Sequence, residues 1–199
     1  MILPDYMIES LCQGIVPPEI RSFYSMLGYD LPASVLPMID PYDPSLLFPE
    51  TLVNPASLDH VVGDGMASIQ YQTGEWKQID MSKFSKESPY WMMPYPAERV
   101  LIPTLETFNL PRFIVGVFKL KSSRAREFYQ HLFAGYCDPG WHGSKLTMEL
   151  VNFNAQPLPL YPGLKMGQTS FSLTFGLPAR DYSVTGRYNG DTGAARSKG

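Results

Sequence analysis

Proline and glycine interrupt this chain too often for long helices to form. Of 199 residues, 19 are proline and 16 glycine, so the uninterrupted segments are short. Proline fixes φ and lacks an amide donor, and glycine supplies the turns. From Asn54 onward the segments alternate apolar and polar residues, which is the period of a strand with one buried face. The pattern predicts strands over 67–72, 76–79, 91–93, 99–107, 112–119, 145–152, 158–161 and 165–175, with Phe171, Leu173 and Phe175 sharing a face in the last. Many short strands with close turn signals predict a mainly β fold, a barrel or a sandwich. Ahead of them two short helices are expected. One covers 6–13, with Asp5 as N-cap and Gly14 as stop. The other follows Pro17-Pro18, with Ile20, Phe23, Tyr24 and Leu27 at helical spacing and Gly28 as stop. Residues 31–55 read as an ordered surface loop, since Leu, Met and Phe are too common there for a disordered linker.

Composition excludes several classes. The length suits one domain with a sizeable core. A net charge of -3 gives no general electrostatic case for binding a nucleic acid polymer. Two cysteines, Cys12 and Cys137, make no disulfide framework, fit a reducing compartment, and cannot form a cysteine-based zinc site. His60, His131 and His142 show no tight ligand spacing and read as hydrogen-bonded core or surface residues. No apolar run is long enough to cross a bilayer, and the opening residues lack signal-peptide features. A cytoplasmic protein is expected, in host cytoplasm if the chain is viral.

The most informative stretch runs from Lys119 to Asn152. A cationic, hydroxyl-rich segment (Lys119, Lys121, Ser122, Ser123, Arg124, Arg126) is followed by the turn Asp138-Pro139-Gly140. The alternating strand 145–152 comes next, with Leu146, Met148 and Leu150 on one face and Thr147, Glu149 and Val151 on the other. Taken singly, these features read as a solvated strand end, an ordinary turn and an acid on a wet face. Residues 182–193 read equally well as a lid or as a frayed terminus.

Their joint order carries more. Ser-Ser-x-Ala-Arg is followed by Ala134-x-x-x-Asp-Pro-Gly-Trp-x-Gly, then Met-Glu-Leu-Val-Asn, then LYPGLKMGQ. PASLD (55–59), TLE (104–106) with Leu110-Pro111, the opening ILPDYMIESLCQG and the tail GRYNGDTG flank them. Together they resemble the dCTP deaminase branch of the dUTPase superfamily over nearly the whole chain, apart from residues 16–37, which look like an insertion in a single 1–199 domain.

The resemblance implies a homotrimer of distorted, jelly-roll-like β-barrels with active sites between subunits, and Mg²⁺ carried by the substrate's triphosphate rather than by the protein. It assigns catalytic roles to Ser122, Arg126 and Glu149, and to the Ala134 carbonyl as a water ligand. It assigns phosphate and substrate contacts to Lys121, Ser123, Asp138, Tyr182, Arg187 and Asp191, with 181–199 as a mobile lid. The implied reaction is zinc-independent deamination of dCTP to dUTP and ammonia. Alternatives are a dUTP diphosphatase or bifunctional enzyme yielding dUMP and pyrophosphate, and a non-catalytic nucleotide-binding regulator.

The chain departs from the family at Lys121 and Val61, where arginines are usual, and at Asp191, where a glutamine is. One extra residue lies near Ser144. Phe133 stands where a small polar residue tied to dTTP inhibition is frequent, so no such inhibition is expected.

Overall fold

The computed structural model describes residues 1–46 and 50–198. Two helices open it, α1 (Asp5–Cys12) and α2 (Pro18–Met26). Pro4, not Asp5, occupies the N-cap of α1, and Asp5 begins the helix without a side-chain cap. Gly14 ends this turn in the left-handed region, where a Cβ would stand 2.8 Å from the Val35 carbonyl oxygen. Pro18 starts α2 at the position where its fixed φ and missing N–H cost nothing. Val16, Ile20 and Tyr24 are fully buried, and the Tyr24 hydroxyl donates to the Thr174 carbonyl at 2.6 Å. The segment 16–37 is therefore part of the core wall.

The strands are β1 (Ile39–Asp40), β2 (Val53–Asn54), β3 (Ser57–Val61), β4 (Met66–Tyr71), β5 (Trp76–Asp80), β6 (Tyr90–Met92), β7 (Glu98–Phe108), β8 (Ile114–Leu120), β9 (Tyr129–His131), β10 (Tyr136–Cys137), β11 (Ser144–Asn152), β12 (Leu158–Leu160) and β13 (Lys165–Leu173). Two further short helices are α3 (Ser122–Arg126) and α4 (Tyr182–Thr185). One sheet runs β5-β4-β7-β11-β9, with β1 also on β7. A second runs β10-β8-β13-β3-β2, and β12 pairs with β6. All these pairings are antiparallel. The fold is mainly β as expected, in open sheets rather than a closed barrel.

Alternation fixes which faces meet. Val100, Ile102 and Phe108 of β7, Met148 and Leu150 of β11, Ile114 and Phe118 of β8, and Phe171 of β13 pack in one continuous core. Three expectations are corrected. β13 ends at Leu173, so Phe175 lies beyond it, 88% exposed. The cationic stretch begins at the end of β8, where Lys119 lies, but Ser122–Arg126 form a helical turn, α3, rather than a strand end. The loop 31–55 contains β1 and the buried Met38; its residues 47–49 lie outside the described part. Among the described residues no helix is long and apolar enough to cross a membrane.

Candidate active site

β11 is paired on both sides in its sheet, with the long β7 and the short edge strand β9. Its Ser144, Leu146, Met148 and Leu150 are buried, while Lys145, Thr147 and Glu149 alternate on the partly open face. Glu149 is thus carried on a strand held from both sides, and that rigidity suits a group that must keep its position.

That face borders a cavity of about 520 Å³, within the range of small-molecule sites. Five residues singled out in the sequence line it: Ala134, Asp138, Glu149, Tyr182 and Asp191. Asp138 opens the expected turn, with Gly140 at φ +85°, the Trp141 amide donating to the Asp138 carbonyl, and the Gly140 amide donating to Leu110. Burial pushes the Asp138 carboxyl above its ordinary range. Just before Ala134, Phe133 adopts φ 62° while 87% exposed. A bulky residue is strained there, and the bend falls at the cavity wall.

The tail completes the wall from the same chain. The Tyr188 carbonyl accepts from the Trp141 indole N–H at 3.1 Å and lies 2.7 Å from the Ser144 hydroxyl. The Lys145 amide donates to the Asp191 carbonyl at 2.8 Å, and the Ala195 amide to the Thr147 hydroxyl at 3.1 Å. The Ser144 hydroxyl serves this docking. The Asp191 carboxylate is held by Lys198, 2.8 and 2.7 Å from its two oxygens. Asp181 caps α4 and pairs with Arg112.

The other candidates lie elsewhere in the chain. Lys121 does not line the cavity; its ammonium is 2.6 Å from both oxygens of the buried Asp59, with Lys165 3.8 Å from the same carboxylate. Asp59 is thus ion-paired with lysines, and the neighbouring Val61 amide donates to Glu106 at 3.1 Å. Ser122, Ser123 and Arg126 stand exposed on α3, and Arg187 is exposed on the tail. None of these five lines the cavity. Both cysteine thiols are buried, and burial pushes each up to about 12, far from the reactive thiolate range.

Sequence reasoning did not foresee the partner of Glu149. His131, on β9 and nearly buried, places its Nε2 3.0 Å from Glu149 Oε2. It also did not foresee the docking roles of Trp141, Ser144, Thr147 and Lys198. The tryptophan belonged to a noted motif, but its acceptor lies 47 residues away.

A protein from Corynebacterium efficiens named dCTP deaminase, dUMP-forming, is 31% identical over 175 residues, 81% of this chain and 85% of that protein. One of the same name from Coprothermobacter proteolyticus is 31% identical over 156 residues, 72% of this chain and 81% of that protein. The crystal structure of 2'-deoxycytidine 5'-triphosphate deaminase from Agrobacterium tumefaciens superposes with a TM-score of 0.56 at 16% identity, a likeness of fold. It covers 87% of this chain, which spans about half (48%) of that longer one. The dCTP deaminase-like family pattern matches residues 38–174, from Met38 before β1 to just past β13. The strand with Glu149 and the turn with Asp138 both fall inside that match, and the chain belongs to the dCTP deaminase-like family.

Proposed function

We propose that this chain hydrolytically deaminates dCTP at C4 of cytosine, with Glu149 as the proton-transferring group. The observation that carries the reading is the position of Glu149: on a strand paired on both sides, at the wall of a cavity shared with Ala134, Asp138, Tyr182 and Asp191. The reaction needs a water made nucleophilic, a proton delivered to the ring, and ammonia as the leaving group. Cytosine deaminases that use zinc hold it with cysteine pairs, and the donor set here, two isolated buried thiols, does not fit. A carboxylate base in a preorganised site takes that role instead. Glu149 removes a proton from water as the oxygen attacks C4 and delivers it to the ring nitrogen N3; it then carries the proton of the new C4 hydroxyl to the amino group, which leaves as ammonia as the C4 carbonyl forms. The Ala134 carbonyl orients the water.

Ser122 and Arg126 reach the site from a neighbouring copy in a homotrimer. This accounts for their exposure on α3, outside the cavity of their own chain. Arg126 would then fix Glu149 and offset charge developing around it. Ser123 and Arg187 meet the phosphates, and Mg²⁺ arrives as part of the triphosphate substrate. Lys121 can join them only by leaving Asp59.

The relatives' names favour dUMP over dUTP as the product. Deamination is therefore read as coupled to triphosphate cleavage, with Asp138 placing a second water for attack at phosphorus. The test is incubation with Mg²⁺ and dCTP, dCMP or dUTP, assayed for ammonia, pyrophosphate and nucleotide. Ammonia with dUMP and pyrophosphate from dCTP is expected; ammonia with dUTP alone removes the coupled step. Glu149→Gln should abolish ammonia release while nucleotide still raises thermal stability. Wild-type deamination by that variant would remove Glu149 from the mechanism.

A further inference from the structure

The contact between His131 and Glu149 is not used by the chemistry above, yet its placement is specific. His131 Nε2 lies 3.0 Å from Glu149 Oε2, and both atoms are buried without a hydrogen-bond partner. Oε2 is shielded from solvent, whereas the Glu149 side chain is 26% exposed and lines the cavity. The carboxyl therefore turns one oxygen inward, to the imidazole, and leaves its accessible part to the cavity. The two atoms are within reach of each other at 3.0 Å without forming a hydrogen bond as they stand.

The imidazole is itself held. Its ring meets the edge of Phe118, centroids 5.0 Å apart at 64°. Phe118 is confined in turn: a Cβ on Gly167 would stand 2.0 Å from its ring, and a Cβ on Gly135 would stand 2.5 Å from its carbonyl oxygen. The histidine cannot drift in that direction without displacing backbone. β9 brings it there by pairing with β11, His131 opposite Leu150, at the point where the ladder ends and the chain bends towards Ala134.

We propose that His131 is a positioning residue for proton transfer by Glu149: it anchors Oε2 so that the rest of the carboxyl faces the reacting water. This rests on the reading of Glu149 as the proton-transferring group. A carboxyl without such an anchor samples several rotamers, and misplacement by about 1 Å costs roughly a hundredfold in rate.

The experiment compares the full-length wild type with His131→Phe, His131→Gln and Glu149→Gln. Phe keeps the ring packing against Phe118 and loses the nitrogen. Gln puts an amide N–H near the place of Nε2 and tests whether a donor suffices. The expected result is a fall in kcat of roughly a hundredfold for H131F, little change in KM for dCTP, and partial recovery in H131Q. Wild-type kcat in H131F, or losses in both variants that simply follow their thermal stability, would overturn the inference. Active E149Q instead overturns the underlying reading of Glu149, so the two failures are distinguishable. Independently of turnover, the His131 ring resonances should move between wild type and E149Q; unmoved resonances also overturn it.

Discussion

Phe118 shows how single residues set the shape of the site. Its ring fills the space over Gly167, and its backbone amide donates to the Gly135 carbonyl at 2.7 Å. A methyl at position 167 would also press on the Lys119 carbonyl oxygen at 2.9 Å, which is backbone and cannot swing away. Gly167→Ala should therefore destabilise the protein by about 1–3 kcal/mol through overpacking, read as a lower urea midpoint. Its kcat should fall as well, because the displaced ring is the one that steadies His131. A stable and fully active G167A would show that the ring has room to move. Local chemistry made some of these residues legible in the sequence. Asp138-Pro139-Gly140 announces a turn by composition alone, and Glu149 announces its face by alternation with Leu146, Met148 and Leu150. His131 could not be read in the same way. Its meeting with Glu149 depends on the register of β9 against β11, and no short-range pattern encodes register.

At the scale of elements, the tail is the part most open to manipulation. Asp181 caps α4 through Ser183 and pairs with Arg112. Its carboxyl is held below the ordinary 3.8, first by the Ser183 hydrogen bond and then by Arg112, against the opposing effect of burial. A native state that favours the ionised acid gains stability that is complete above the unfolded value and lost as pH falls through the lower folded one. Tail docking should therefore weaken below about pH 4. Asp181→Asn should remove much of that dependence, seen in thermal melts from about pH 6 to about pH 3. An unchanged acid profile in D181N would assign the loss to other carboxyls. Element types were mostly legible: helices at the start, strands after Asn54, a turn before the central strand. α3 was not, because a single helical turn carries too few residues for a periodic signal. Nor was the partner of Lys121, since Asp59 lies 62 residues away and ion pairs at that separation follow from sheet packing.

For the whole molecule, the division between the cavity and the exposed Ser122-Arg126 turn predicts complementation. Glu149→Gln and Arg126→Ala should each be inactive alone. If the site is assembled from two copies of a cyclic trimer, mixed refolding at equal ratio should restore about a quarter of the sites. Recovery at the level of the separate variants would place Arg126 in the site of its own chain, and sedimentation would report the number of copies. Fold class, mainly β with a distorted rather than closed arrangement of sheets, was legible at this scale. The hold of Trp141 and Ser144 on Tyr188 has a kinetic corollary. The tail over this pocket belongs to the chain that supplies its Glu149 wall, so if that tail opens to admit substrate, a single subunit moves. Turnover per subunit should then stay constant on dilution for as long as the assembly holds.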